Sequence, residues 1–147
     1  MSAPSSDEIC AMRITTKSRY GTRMILDIAL HGEEGPVPIS DIAKRQGISE
    51  KYLEKLINEL KKSGFIKSRR GVGGGHALAR PASEITVGDI VRALEKTENL
   101  APCSECGECN RAGQCMTRGI WIEAAQAMMG TLDSMTIESL LSDCPCR

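Results

Sequence analysis

Between Thr15 and about Leu30, apolar side chains fall at Tyr20, Met24, Ile25, Ile28 and Ala29, the i, i+4 spacing of one helix face. His31-Gly32-Glu33-Glu34-Gly35-Pro36 breaks that rhythm and predicts a turn. A second, short helix is expected from a Ser40 cap to about Arg45, with Ile42 and Ala43 inward and a stop near Gly47. Ser49 is placed to cap a third helix, whose Leu53, Leu56, Ile57 and Leu60 form one stripe and whose C′ residue is Gly64. Two short helices joined by a tight, Gly-containing turn are the helix-turn-helix pattern.

Farther along, Phe65-Ile-Lys-Ser-Arg69 and His76-Ala-Leu-Ala-Arg80 bracket the run Arg70-Gly-Val-Gly-Gly-Gly75. Two β-compatible runs around a Gly-rich tip predict a hairpin, here with a longer loop than the two-residue ideal. A helix-turn-helix followed by a basic hairpin is a winged helix. Thr86-Val-Gly-Asp89 is a capping box that opens a fourth helix with Val87, Ile90, Val91 and Leu94 on its apolar side. Residues 98–115 show no periodicity and carry four cysteines. Beyond them Met116, Ile120, Trp121, Ala124, Ala125, Met128, Met129 and Leu132 repeat at helical spacing, and Thr136–Leu141 forms a last short helix. The wide face of the long helix is expected to pack against a second copy of the chain; the alternative is that it closes the core of its own chain.

These elements predict a mainly α fold with a small β-hairpin wing: a winged helix-turn-helix plus a long dimerisation helix. The expected divisions are a flexible tail (1–11), the winged helix (12–96), a cysteine loop (97–115), the dimerisation region (116–143) and a tail (144–147). At 147 residues the chain is long enough to bury a core without disulfides or metal. Aromatics are 3% of it, so the core must be aliphatic and Met-rich. Nothing approaches the roughly 20 apolar residues of a membrane span, and the acidic opening lacks the apolar stretch of a signal peptide. A cytoplasmic chain is therefore expected, in which seven cysteines point to metal or redox chemistry rather than to disulfides.

Net charge is zero, but it is segregated: residues 12–80 carry +7, residues 81–147 carry −5 and residues 1–11 carry −2. A basic segment fused to an acidic one predicts contact with a polyanion, against the plainer reading of a solvated basic face. The solvent side of the third helix offers Ser49, Glu50, Lys51, Tyr52, Glu54 and Lys55. Lys51 and Ser49 suit phosphates, Glu54 suits a cytosine amino group, and Tyr52 suits apolar or hydroxyl contacts. Lys67, Arg69 and Arg70 lie on the wing, where a thin glycine loop with an arginine at its base suits a narrow minor groove. Arg13, Lys17, Arg19 and Arg23 add charge for the DNA backbone. The glycine run lacks the Lys-Ser/Thr of a phosphate loop, and no Ser/His/Asp or paired-carboxylate constellation is present, so an enzyme is not expected. A winged helix serving as a protein-interaction module is the remaining alternative.

The four cysteines follow the spacing Cys103-x2-Cys106-x2-Cys109-x5-Cys115, close enough to share one metal centre. Soft thiolates select zinc, copper(I) or iron–sulfur clusters. Structural zinc more often uses two separated knuckles, whereas a single compact run is closer to an iron–sulfur loop. Zinc and metal-free redox thiols remain open on spacing alone.

Four stretches, Met12–Gly21, Gly47–Leu56, Arg70–Gly75 and Cys115–Trp121, together resemble the IscR-like, Rrf-type family of iron–sulfur winged-helix regulators, with its relatives NsrR and RirA. The resemblance runs from Met12 to about Leu141. It implies a homodimeric bacterial transcription factor, such as a repressor, that binds a double-stranded DNA operator with an affinity set by its cluster, in a two-iron or a four-iron form. It further implies Cys103, Cys109 and Cys115 as cluster ligands, Tyr52 and Glu54 as DNA readers, and Arg70 as the wing arginine. Two positions depart from the family pattern. Arg118 stands where IscR has a histidine ligand, and a guanidinium cannot ligate iron. Arg19 stands where NsrR has a carboxylate ligand from its partner. Cys106 is then the first choice for a fourth ligand, ahead of His31, Cys10, Cys144 and Cys146.

Overall fold

The computed structural model describes residues 14–96, 110–111 and 113–143. Its helices are α1 (Thr16–His31), α2 (Ile39–Gln46), α3 (Glu50–Lys62), α4 (Val87–Glu95), α5 (Arg118–Asp133) and α6 (Ile137–Ser142), with one hairpin of β1 (Ile66–Arg69) and β2 (Gly75–Leu78). The expected fold class is therefore observed: mainly helical, with a small antiparallel wing. The tail at 1–11, Cys10, Arg13, Cys103, Cys106, Cys109, Cys144 and Cys146 lie outside the described residues.

Each helix start follows from local chemistry. Thr15 accepts from the Lys17 amide, Ser49 from Tyr52 and Thr136 from Ser139, each satisfying an amide that the helix leaves open. Thr86 and Asp89 form the reciprocal capping box that opens α4. The start of α2 differs from the expected Ser40 cap. Pro38 is the cap residue, its carbonyl receiving the Asp41 and Ile42 amides, and Ser40 lies inside the first turn. The fixed φ of proline suits the turn entry, so a helix starts there without a side-chain cap.

Met24, Ile25 and Ile28 from α1 meet Ile42, Leu53, Leu56 and Leu60 from the helix-turn-helix, and Ile90 and Leu94 from α4, in one aliphatic core. Gly21 lets α1 approach α4 closely, since a Cβ there would collide with Leu94. Ile137 of α6, fully buried, inserts into this same core. Reciprocal backbone bonds around the Thr86–Thr136 bridge, Val87 N–H to Met135 and Ile137 N–H to Ile85, stitch α6 beside the start of α4.

The long helix α5 divides along its length. Ala125 and Met129 are buried, and Met129, Met128 and Leu132 pack against Val87 and Val91 of α4. Asp133 at its end accepts two bonds from Arg92 of α4, at 2.7 and 2.6 Å. This part of the apolar face closes the chain's own structure, as the alternative reading had it. Toward the other end Met116, Ile120 and Trp121 stay 95%, 56% and 44% exposed.

The wing is anchored at its base by a third, one-residue strand. Val37 and His76 exchange both backbone bonds at 2.8 Å. This contact needs Gly75, because a Cβ there would lie 2.5 Å from the Val37 carbonyl carbon and oxygen. Backbone cannot yield as a side chain can. Gly75→Ala is expected to lower stability by about 1–3 kcal/mol, as overpacking does. Urea unfolding would show the loss.

Candidate nucleic-acid interface and cysteine segment

Burying Leu53, Leu56, Ile57 and Leu60 turns the opposite side of α3 to solvent, and Ser49, Glu50, Lys51, Glu54 and Lys55 are all exposed there. The Ser49 oxygen is occupied by capping, which leaves its hydroxyl proton free to donate. Tyr52 is only half-exposed. Its hydroxyl lies 3.2 Å from Thr16 Oγ1 of α1, and its ring meets Tyr20 edge-on at 5.9 Å between centroids. Arg23 in turn stacks over Tyr20 at 5.3 Å. Tyr52 is thus held from behind by α1, an arrangement that the α3 stripe alone could not reveal.

On the hairpin Lys67, Ser68, Arg69 and Arg70 are exposed, and the tip Gly71-Val72-Gly73 carries the fully exposed Val72. Gly71 and Gly73 adopt φ of 95° and 71°, left-handed values that glycine takes without steric cost. The loop closes by a Gly74 N–H to Gly71 carbonyl bond of 3.0 Å. Ser68 and His76 face each other across the hairpin, with Oγ and Nδ1 2.8 Å apart.

Not all the basic residues are available to a polyanion. Arg23 donates to the side chain and carbonyl of Gln46, so part of its capacity locks α1 to α2. Arg45 grips the buried Asp27 carboxylate with bonds of 3.0 and 2.6 Å, and those bonds hold its guanidinium above the ordinary value. Gln46 completes the Asp27 cage at 2.8 Å. Lys17 and Arg19 remain exposed on α1.

Burial, reinforced by the Lys61 charge, pushes the His76 ring below its ordinary value of 6.5. A base depressed in the folded chain binds its proton better when unfolded. Its contribution is complete above about pH 6.5 and declines as pH falls from there toward the folded value. Thermal unfolding between pH 7.5 and 5.5 should therefore lose stability on acidification, and His76→Gln should remove that part of the loss.

Of the cysteine run, only Cys115 is within the described residues. It stands just ahead of α5, part-exposed, with its sulfur 3.3 Å from Thr117 Oγ1. That hydroxyl, the Thr117 and Arg118 amides, and the Arg111 charge draw the thiol below its ordinary 9.0. The positive end of α5 acts in the same sense. A thiol inclined to ionise is the donor chemistry that a soft metal centre requires. Arg118 is the first residue of α5, and His31, at the far end of α1, lines a cleft with Arg45 and Leu141. Among the described residues no three metal-capable side chains converge.

A helix-turn-helix whose exposed helix is flanked by a basic, glycine-tipped wing defines a winged-helix DNA-binding protein. A profile of the Rrf2 family, described as iron-dependent transcriptional regulators, matches residues 14–143, and the chain belongs to that family. It is 54% identical over 138 residues to protein rrf2 of Nitratidesulfovibrio vulgaris, an alignment covering 91% of this chain and 92% of that protein. Its fold is similar to that of CymR, the global cysteine regulator of B. subtilis (TM-score 0.75, 36% identity, 90% of this chain and 98% of that one). It is likewise similar to T. potens IscR (TM-score 0.74, 39% identity, 89% of this chain and 87% of that one). The chain is thus a transcriptional regulator and not an enzyme. No described helix is long and apolar enough to cross a membrane.

Proposed function

We propose that this chain is a homodimeric transcriptional regulator whose affinity for a double-stranded DNA operator is governed by an iron–sulfur cluster held in the cysteine loop. The observation that carries the reading is the fastening of the two helices between which the loop lies in sequence: α4 and α5 are held together by the Arg92–Asp133 pair and the Val91–Met129 contact. A centre bound there acts on how α5 leaves α4. The exposed Ile120 and Trp121 on α5 are the surface through which a second copy is expected to pack, so the spacing of two winged helices follows the loop. Half-sites about one helical turn apart then match, or fail to match, the two reading helices.

The division of roles follows the same lines. Residues 12–96 read DNA, with Ser49, Lys51 and Lys55 on phosphates, Tyr52 and Glu54 toward base edges, and Arg69 and Arg70 on the wing. Residues 97–115 hold the centre through Cys103, Cys109 and Cys115, with Cys106 as fourth ligand, and residues 116–143 carry the dimer contact. When bound, the cluster supplies a redox- and ligand-sensitive group. The protein works in the cytoplasm, where the thiols stay reduced.

Absorption spectroscopy and an iron, zinc and sulfide assay on anaerobically purified protein test the reading. Iron and sulfide in stoichiometric amounts are expected, and Cys106→Ser is expected to alter the spectrum. Colourless protein with stoichiometric zinc would refute the cluster. The second reading is a zinc- or thiol-based redox switch without iron, favoured by the part-exposed position of Cys115 beside the Thr117 hydroxyl.

A further inference from the structure

We propose that Glu95 is a positioning residue for DNA reading, holding the first turn of α1 so that Thr16 and Tyr20 present Tyr52 at a fixed height above α3. The inference rests on the assignment of α3 as the reading helix and goes beyond it. Glu95 is the last residue of α4, and a single oxygen, Oε1, accepts three bonds from the start of α1: the Thr15 amide at 3.0 Å, the Thr15 hydroxyl at 2.8 Å and the Ser18 hydroxyl at 2.6 Å. Ser18 is 2% exposed, so its hydroxyl depends on this carboxylate. The carboxylate also meets the positive end of α1, where an anion is favoured.

From there the connection is direct. Thr15 is the cap of α1, and its oxygen receives the Lys17 amide while its proton goes to Glu95. Thr16, the next residue, reaches the Tyr52 hydroxyl, and Tyr20, one turn on, abuts the Tyr52 ring. The close passage of α1 past Leu94 at Gly21 keeps this turn from drifting along α4. None of the side chains that carry these contacts is basic, so they can alter discrimination between sequences while the charged side chains that attract phosphate stay in place.

The test uses the full-length protein and two duplexes, a genomic fragment selected by the protein and its scrambled counterpart, in fluorescence anisotropy titrations. Glu95→Ala is expected to lower the ratio of selected to scrambled affinity by about 5–20-fold, the scale of one lost base contact, while affinity for the scrambled duplex stays within about twofold. Glu95→Gln, whose amide oxygen can accept the same bonds without charge, should retain an intermediate ratio. Thr16→Val should reproduce part of the Glu95→Ala loss and stands in for it if that variant fails to fold. A residue that only supported folding would lower both affinities together, and that result would overturn the proposal. If Tyr52→Ala collapses the ratio while Glu95→Ala and Thr16→Val leave it intact, α3 remains the reader and Glu95 loses its role. If Tyr52→Ala also leaves the ratio intact, reading through Tyr52 fails and the proposal fails with it.

Discussion

Cys115→Ser is expected to yield a folded protein that carries no metal centre and binds its operator with the affinity of the metal-free wild type. A serine hydroxyl is a hard, weakly acidic donor and does not replace a thiolate toward iron. The effect on fold should be small, because Cys115 contributes nothing to the buried core and its described side-chain contact is the Thr117 hydroxyl. Circular dichroism and urea unfolding should match the metal-free wild type, while the visible absorption disappears. If the variant keeps the full spectrum, Cys115 is not a ligand.

Arg70→Ala is expected to weaken operator binding by about 1–3 kcal/mol, roughly 5–150-fold, with the metal spectrum untouched. Arg70 follows β1 directly and precedes the left-handed Gly71, so the thin tip can carry its guanidinium into a groove. Titrations on a selected and a scrambled duplex at several salt concentrations separate the two contacts it can make. Loss confined to the selected duplex identifies a groove contact. A uniform loss, with the salt slope reduced by about one, identifies a phosphate contact. A change in the metal spectrum would contradict the separation of reader from sensor.

Much of the fold was legible because helices announce themselves through period and punctuation. The stripe Leu53, Leu56, Ile57 and Leu60 placed the inward side of α3, and with it the side chains that α3 turns to solvent. The capping box at Thr86 placed the start of α4 to the residue. What escaped was non-local. The Val37–His76 bridge joins single residues far apart in sequence, and a lone extended residue has no periodicity to detect. Ile137 lies in a helix too short to show a face, yet it fills the core of the winged helix. The half-burial of Tyr52 depends on Thr16 and Tyr20 of another helix, and the three-bond grip of Glu95 depends on two hydroxyls eighty and seventy-seven residues away. The periodicity of the long helix leaves open whether its apolar face meets a second copy or its own chain, and Met128, Met129 and Leu132 are drawn to α4 because Val87 and Val91 offer a complementary patch. The spacing of the cysteine run points to metal or redox chemistry, and Cys103, Cys106 and Cys109 lie outside the described residues.

The central claim is that the state of the cysteine loop governs the DNA reader. Anaerobic anisotropy titration of one selected duplex, with the same preparation before and after removal of its metal by chelation, tests it most directly. The account predicts two affinities that differ by about 5–150-fold, the range of a coupling of 1–3 kcal/mol. Equal affinities, with the metal demonstrably gone from one sample, would contradict it.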